Sequence, residues 1–228
     1  MSENPQSELR NRILQLVQEA QGQNNPSTWF DQVYEQAQGD TSQIPWSTFQ
    51  GYPLVESWLN QSQITGEGKT ALVIGCGLGD DAESLANYGF QVTAFDISPT
   101  AIAWCRQRFP DSPVNYQVAD LLNLDEYWDK FDLVIESRTI QSIPLTFRPQ
   151  TIQTIANLVK TQGTLLLITH LREGEDPPAG PPWPLSSGEI AQFEQLGFKK
   201  MQKIPFTTPD KPDLNQVFLA YSLIDCFE

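Results

Sequence analysis

The chain has 228 residues, about one and a half times the ~150 residues of a common domain, which excludes two full domains and leaves one domain with an appendage. Fourteen Lys and Arg against 28 Asp and Glu give 14 − 28 = −14, a field that repels phosphate backbones and anionic membranes, so neither nucleic acid nor a membrane is expected as a partner. Hydrophobic residues at 39% suffice for a sizeable core, while Cys76, Cys105, Cys226 and a single histidine, His170, supply neither a disulfide framework nor a metal site.

Met1 to Asn11 is polar and lacks the apolar stretch of a secretion signal, and no window reaches the ~18 apolar residues of a membrane span, so a cytoplasmic setting is expected. Leu9, Ile13, Leu14, Leu16, Val17 and Ala20 form a helical stripe that predicts a helix over 8–21. From Gly22 to Tyr52 the chain turns to Gln, Ser, Thr, Gly and Pro, studded with Trp29, Phe30, Tyr34, Trp46, Phe49 and Tyr52. That mixture suits a lid better than a core. We therefore expect a helical lid over residues 1–60 and a ligand-binding domain over 61–228.

From Thr70 short apolar runs alternate with helical patterns. Thr70–Gly75, Gln91–Phe95, Val114–Val118, Phe131–Ile135 and Thr164–Thr169 read as strands, with helices over 80–88, 98–109 and 147–161 between them. Such βαβ alternation implies a parallel sheet with helices on both faces. His170 to Leu185, with five prolines, reads as a semi-rigid loop after the fifth strand. A helix over 187–196 then leads into strands 198–204 and 216–223, which are joined by a Pro-rich turn and predict an antiparallel hairpin at one sheet edge.

Gly75, Gly77 and Gly79 follow the first strand and open a helix, the place where an open α/β sheet binds nucleotide-like ligands. A dinucleotide fingerprint requires glycine at position 80, but Asp80 and Asp81 stand there. Two carboxylates at a helix N-terminus satisfy its free N–H groups and compete with a pyrophosphate for that positive end. Asp96 ends the second strand 21 residues after Gly75, where a carboxylate can hold both hydroxyls of a ribose, with Ile97 beside it. Asp120 and Leu121 end the third strand, within reach of an adenine edge. Together these describe a site for an adenosine whose 5′ substituent passes the glycine turn, as in S-adenosyl-L-methionine.

With these residues in order, the chain resembles the class I S-adenosylmethionine-dependent methyltransferases over residues 70–224. VIGCGLG matches their first motif, Asp96 the acidic residue after it, Asp120 the adenine-side motif, and FDLVIES and GTLLLIT the fourth and fifth strands. The resemblance implies a Rossmann-like seven-stranded, mostly parallel sheet with an antiparallel C-terminal hairpin. A narrower resemblance, to thiopurine S-methyltransferase and the halide/thiol methyltransferases, rests on Trp29, Tyr34 and Trp46 and on Gly180-Pro181-Pro182-Trp183-Pro184-Leu185-Ser186. It implies that Trp29 and Trp46 help to enclose the cofactor or substrate, while the helical spacing of Trp29, Phe30, Val33 and Tyr34 equally suits packing of their own helix, and Trp183 is a candidate pocket wall or loop anchor.

The expected reaction is therefore methyl transfer to a small-molecule nucleophile, a thiol or other soft atom, by a monomeric enzyme. Glu136 and Ser137, at the carboxyl end of the fourth strand, are candidates to orient the amino end of the cofactor, with Glu136 also able to accept a proton or, as the structural alternative, to form a salt bridge with Arg138. Arg138 is a candidate to hold an anionic substrate, and His170, ending the fifth strand, a candidate base. No metal is expected. Two other classes use the same strand-turn-helix: a binding protein that senses the cofactor without turnover, and a nicotinamide oxidoreductase, which has to explain Asp80 and Asp81 at the phosphate position.

Overall fold

The computed structural model describes residues 5–22, 27–47, 53–124, 128–174, 176–178, 180–208 and 211–224. Strands β1 (Thr70–Ile74), β2 (Gln91–Asp96), β3 (Asn115–Val118), β4 (Phe131–Ser137), β5 (Val159–His170), β6 (Phe198–Thr208) and β7 (Lys211–Leu223) make one sheet in the order β3-β2-β1-β4-β5-β7-β6. The first five run parallel, and β7 inserts antiparallel between β5 and β6. This is the Rossmann-like arrangement expected from the motif order.

Alternating side chains sort to the two faces of the sheet, as the two-residue repeat of a strand requires. Ala71, Val73, Leu133 and Ile135 pack with residues of α3 (Pro53–Gln61), α4 (Asp80–Asn87) and α5 (Pro99–Arg108). Leu72, Ile74 and Val134 face the other way, toward α6 (Arg148–Asn157) and α7 (Ser187–Gln195). Both faces are covered, which is why TALVI reads as an unbroken apolar run.

Two boundaries differ from the periodicity. The helix expected to reach residue 161 stops at Asn157, because β5 starts at Val159 and pairs with Phe131 before a register shift brings Thr164 opposite Leu133. The expected Pro-rich turn is instead strand on both sides, with Pro205 lying opposite Val217. Proline is tolerated there because β6 is the edge strand, where a missing N–H donor interrupts no second ladder.

Helices α1 (Pro5–Gly22) and α2 (Thr28–Ala37) precede the sheet and pack on each other. The aromatic-rich segment holds more core than its composition suggests: Trp29, Val33, Tyr34 and Ala37 lie on one face of α2 and are buried with Leu16, Val17, Ala20 and Ile44. Leu78 of the glycine loop, Ala101 of α5 and Trp183 complete this cluster, so α1 and α2 are seated on the carboxyl end of the sheet. Phe49, Tyr52 and Cys226 lie outside the described residues. Among the described residues, no helix is long and apolar enough to cross a membrane.

Candidate functional site

The strand order reverses between β1 and β4, and in an open α/β sheet that reversal leaves a crevice at the strand carboxyl ends. The glycine loop fills its rim. Gly75, Gly77 and Gly79 all have positive φ (60°, 55° and 89°), a region that costs a side chain about 1–2 kcal/mol. Space forbids side chains at two of them. A methyl on Gly75 would stand 2.4 Å from Thr139 Oγ1, and one on Gly79 would stand 2.5 Å from the Tyr116 hydroxyl. At Gly77 the nearest atom is the Tyr34 hydroxyl at 3.4 Å, so that glycine faces the space between the loop and α2.

Asp80 does not act as a helix cap. Its carboxylate accepts two bonds from Arg108, at 2.9 and 3.1 Å, and the same guanidinium donates to the Leu78 carbonyl. One of the two negative charges that set this loop apart from a dinucleotide site is thus paired with α5, and the pair braces the loop.

Asp96 is brought directly onto the loop. One carboxylate oxygen accepts the Gly77 N–H at 2.9 Å and the other the Ser98 N–H at 3.0 Å, and burial to 8% exposure raises its pKa above the ordinary carboxyl range. The Ala119 N–H donates to the Asp96 carbonyl at 3.0 Å, tying the end of β3 to the end of β2. Apolar residues adjoin Asp96 at these strand ends: half-buried Ile97 follows it, exposed Val118 lies opposite it in β3, and half-buried Ala119 comes next. A carboxylate next to apolar residues suits a ribose carrying a flat heterocycle. Leu121 is buried in the core, and Asp120 accepts bonds from the Leu122 N–H and the Asn123 side chain, so its side chain shapes the turn after β3.

Trp29 and Trp46 meet edge to face at 5.8 Å, and the Trp46 indole N–H donates to the Tyr34 hydroxyl at 2.7 Å. The aromatic group placed against the glycine loop is therefore Tyr34, which Trp46 holds in position. Tyr34 is fully buried, and burial lifts its phenol well above its ordinary pKa, so it stays protonated and polar only at its tip.

At the end of β4, Glu136 is fully buried beside Ile74 and Leu167. Its Oε1 accepts the Thr139 and Ile140 N–H groups at 2.6 and 2.8 Å, fixing the turn that follows, while Oε2 is buried without a partner. No ion pair with Arg138 forms; the cation that acts on this carboxyl is Arg148. Ser137 is half-buried. Arg138 adopts φ 64°, uncommon for a residue with a Cβ, and sends Nη2 to Gln216 Oε1 at 2.8 Å. Gln216 pairs with His170 across β7 and β5, so Arg138, Gln216 and His170 meet on one edge.

Gln141 backs that edge, and no spacing or motif announces it. Its side-chain oxygen accepts the His170 N–H at 2.7 Å and the Thr169 hydroxyl at 3.1 Å, its amide lies 3.3 Å from His170 Nδ1, and its carbonyl accepts the Trp183 N–H at 2.7 Å. Trp183 is buried against α1 and α2, as an anchored wall of the proline loop. The loop itself is held by Arg148 and Arg172, which share Glu189 at 2.6 and 2.8 Å and donate to the Trp183 and Pro184 carbonyls. Glu189 also closes a capping box with Ser186, a signal legible in Ser186-Ser187-Gly188-Glu189.

Burial without a partner on Oε2 pushes the Glu136 carboxyl up from 4.5 to about 7. The folded chain then holds this proton more tightly than an unfolded one, so stability declines as pH rises from about 4.5 to about 7 and stays lower above it. Asp96, raised by the same cause, acts in the same direction. Glu136→Gln is expected to flatten that decline, by up to ~3 kcal/mol, in urea unfolding measured from pH 5 to 8. An unchanged decline in the variant would assign it to other groups.

Residues 71–163 match the family of methyltransferase domains. Of curated proteins, the chain is similar to 2-heptyl-1-hydroxyquinolin-4(1H)-one methyltransferase of Mycobacteroides abscessus, 26% identical over 65% of this chain and 66% of that protein. It is also similar to thiocyanate methyltransferase 1 of Arabidopsis thaliana, 27% identical over 73% and 74% of the two chains. Across the leading curated relatives the match spans 66%, 39% and 47% of the relative's own length. Among solved structures, 1,6-didemethyltoxoflavin-N1-methyltransferase of Burkholderia thailandensis, with that compound and S-adenosylhomocysteine bound, superposes with a TM-score of 0.67 over 86% of each chain at 17% identity. That likeness shows a shared fold.

Proposed function

We propose that this chain, which carries a methyltransferase domain in the class I S-adenosylmethionine-dependent fold, transfers the methyl group of S-adenosylmethionine to a small nucleophile, sulfur or another soft atom. The observation that carries the reading is the joint between Gly77 and Asp96, which sets a carboxylate on a glycine turn with apolar residues beside it and so supports a ribose at this corner. Gly75, Gly77, Gly79, Asp96, Ile97, Asp120 and Leu121 are the proposed cofactor residues, with Glu136 and Ser137 at its amino end. Residues 1–60 are the proposed lid and 61–228 the proposed catalytic domain, with Trp29 and Trp46 acting through Tyr34.

The cofactor supplies a methyl group already activated by sulfonium charge, so the protein's work is positioning and exclusion of water. Glu136 holds the turn at Thr139 and Ile140, which in turn sets the Arg138 backbone. Arg138, His170 and Gln216 form a polar edge for the acceptor, and Trp183 closes it from the proline loop. Glu136 is fully buried with Oε1 engaged by two backbone donors, and His170 is held by Gln141, so both serve first to position the turn and strand end, with Glu136 Oε2 the oxygen left to take a proton. A nucleophile that is partly ionised near neutral pH suits such a site. The similarity to thiocyanate methyltransferase 1, which reaches over most of both chains, supports the same acceptor class.

Calorimetry with S-adenosylmethionine, S-adenosylhomocysteine and NAD(H), followed by turnover assays with thiols, thiopurines, halides, phenols and amines, tests the proposal. Binding of the two sulfur ligands with methylation of thiols or halides is expected. Methylation confined to phenols or amines would reject the soft-atom assignment. Cofactor binding without turnover on any acceptor would make the chain a sensor, and binding of NAD(H) alone would reject the methyltransferase reading.

A further inference from the structure

A lone aspartate of α2 reaches into the ribose corner of the site. Asp31 Oδ1 accepts the Ser98 hydroxyl at 2.6 Å and the Thr100 N–H at 3.1 Å, across 67 and 69 residues of sequence. Ser98 is fully buried and is the N-cap of α5: its Oγ also accepts the Ala101 N–H at 2.9 Å. The first turn of α5 therefore has two N–H groups satisfied by side chains, one from its own cap and one from a helix earlier in the chain.

The Ser98 N–H points to Asp96 Oδ1, and the Gly77 N–H to Asp96 Oδ2. The result is an unbroken series of hydrogen bonds from Asp31 on α2, through Ser98 and Asp96, to the backbone of the glycine loop. One residue separates the lid helix from the carboxylate proposed to hold the ribose. The aromatic contacts of α2 reach the site differently: Trp46 donates to the Tyr34 hydroxyl, which stands against Gly77, whereas the hydrogen bonds to the Asp96 carboxylate come from Gly77 and from Ser98, the residue that Asp31 holds.

We propose that Asp31 is a positioning residue for cofactor binding: it fixes Ser98, Ser98 fixes the rotamer of Asp96, and the seating of the lid is thereby coupled to affinity for S-adenosylmethionine. The inference rests on the cofactor assignment above. A carboxylate at the start of α5 gains from the positive end of that helix and from its bonds to Ser98 and Thr100, so the latch holds α2 against α5. Asparagine keeps an oxygen acceptor at the same position, whereas alanine removes it.

The test is calorimetric titration of the full chain with S-adenosylmethionine, comparing wild type, Asp31→Ala, Asp31→Asn, Ser98→Ala and the Asp31→Ala/Ser98→Ala double variant. Asp31→Ala is expected to weaken binding about tenfold, equivalent to about 1.4 kcal/mol, and Asp31→Asn to restore affinity to within about threefold of wild type. Because Asp31 acts through Ser98, the double variant should bind no more weakly than the weaker single one. In steady state the KM for the cofactor should rise in Asp31→Ala with kcat and the acceptor KM unchanged. Losses that add in the double variant, or an Asn variant as weak as the Ala variant, would reduce Asp31 to a docking contact of α2. If wild type itself fails to bind S-adenosylmethionine, the cofactor assignment fails. Binding in wild type that is undiminished in Asp31→Ala overturns only the latch.

Discussion

Glu189→Ala is expected to cost about 3–5 kcal/mol of stability, the range for removing one partner of a buried ionic group. Glu189 is the shared partner of Arg148 and Arg172, whose side chains are 1% and 8% exposed. Its loss leaves two guanidinium charges buried with the carbonyls of Trp183 and Pro184 as hydrogen-bond acceptors and, for Arg148, the more distant Glu136 carboxyl. The Ser186 N–H and the capping box of α7 lose their acceptor as well. The readout is the midpoint of urea unfolding at unchanged slope. A loss below ~1 kcal/mol would mean that the three charges behave as solvated surface pairs. Because these arginines carry the Trp183–Pro184 backbone, the surviving folded fraction should show a raised acceptor KM with cofactor affinity retained.

Asp96→Ala is expected to weaken S-adenosylmethionine binding by about 1.5–3 kcal/mol, the range for hydrogen bonds to a charged group, or roughly ten- to a hundredfold. The alanine also leaves the Gly77 and Ser98 N–H groups without their acceptor, so the glycine loop loses its brace at the same time. Asp96→Asn is a milder form of the same change. The amide keeps one oxygen for one of the backbone donors, turns its NH2 toward the other, and carries no charge for the ribose. Affinity for S-adenosylhomocysteine should fall in parallel, since both ligands share the adenosine. A folded Asp96→Ala protein with wild-type affinity for both would remove the ribose from this corner.

The strands, their parallel order and the glycine loop were legible because each rests on local rules. A run such as TALVI buried on both faces needs no distant partner to be recognised, and three glycines at alternate positions between a strand and a helix announce a backbone that requires positive φ. Asp96 was legible for the same reason, as a carboxylate ending the next strand. The hairpin was legible from two strands with no helix between them, though its length was not, because a proline at an edge strand reads in sequence as a turn.

The remaining parts of the site were decided by tertiary structure. Asp31 meets Ser98 across 67 residues, Gln141 meets His170 across 29, and Arg148 meets Glu189 across 41. Hydrogen bonds at such separations leave no periodicity or spacing in the chain. Whether Glu136 pairs with Arg138 or caps a turn depends on the path of the backbone after β4, and whether Asp80 caps α4 or binds Arg108 depends on where α5 is set down. By itself the sequence determined the framework and the glycine turn at the strand ends, because strand burial and turn chemistry are properties of neighbouring residues. The tertiary structure alone decided which polar groups support that place, because their partners are neighbours only in space.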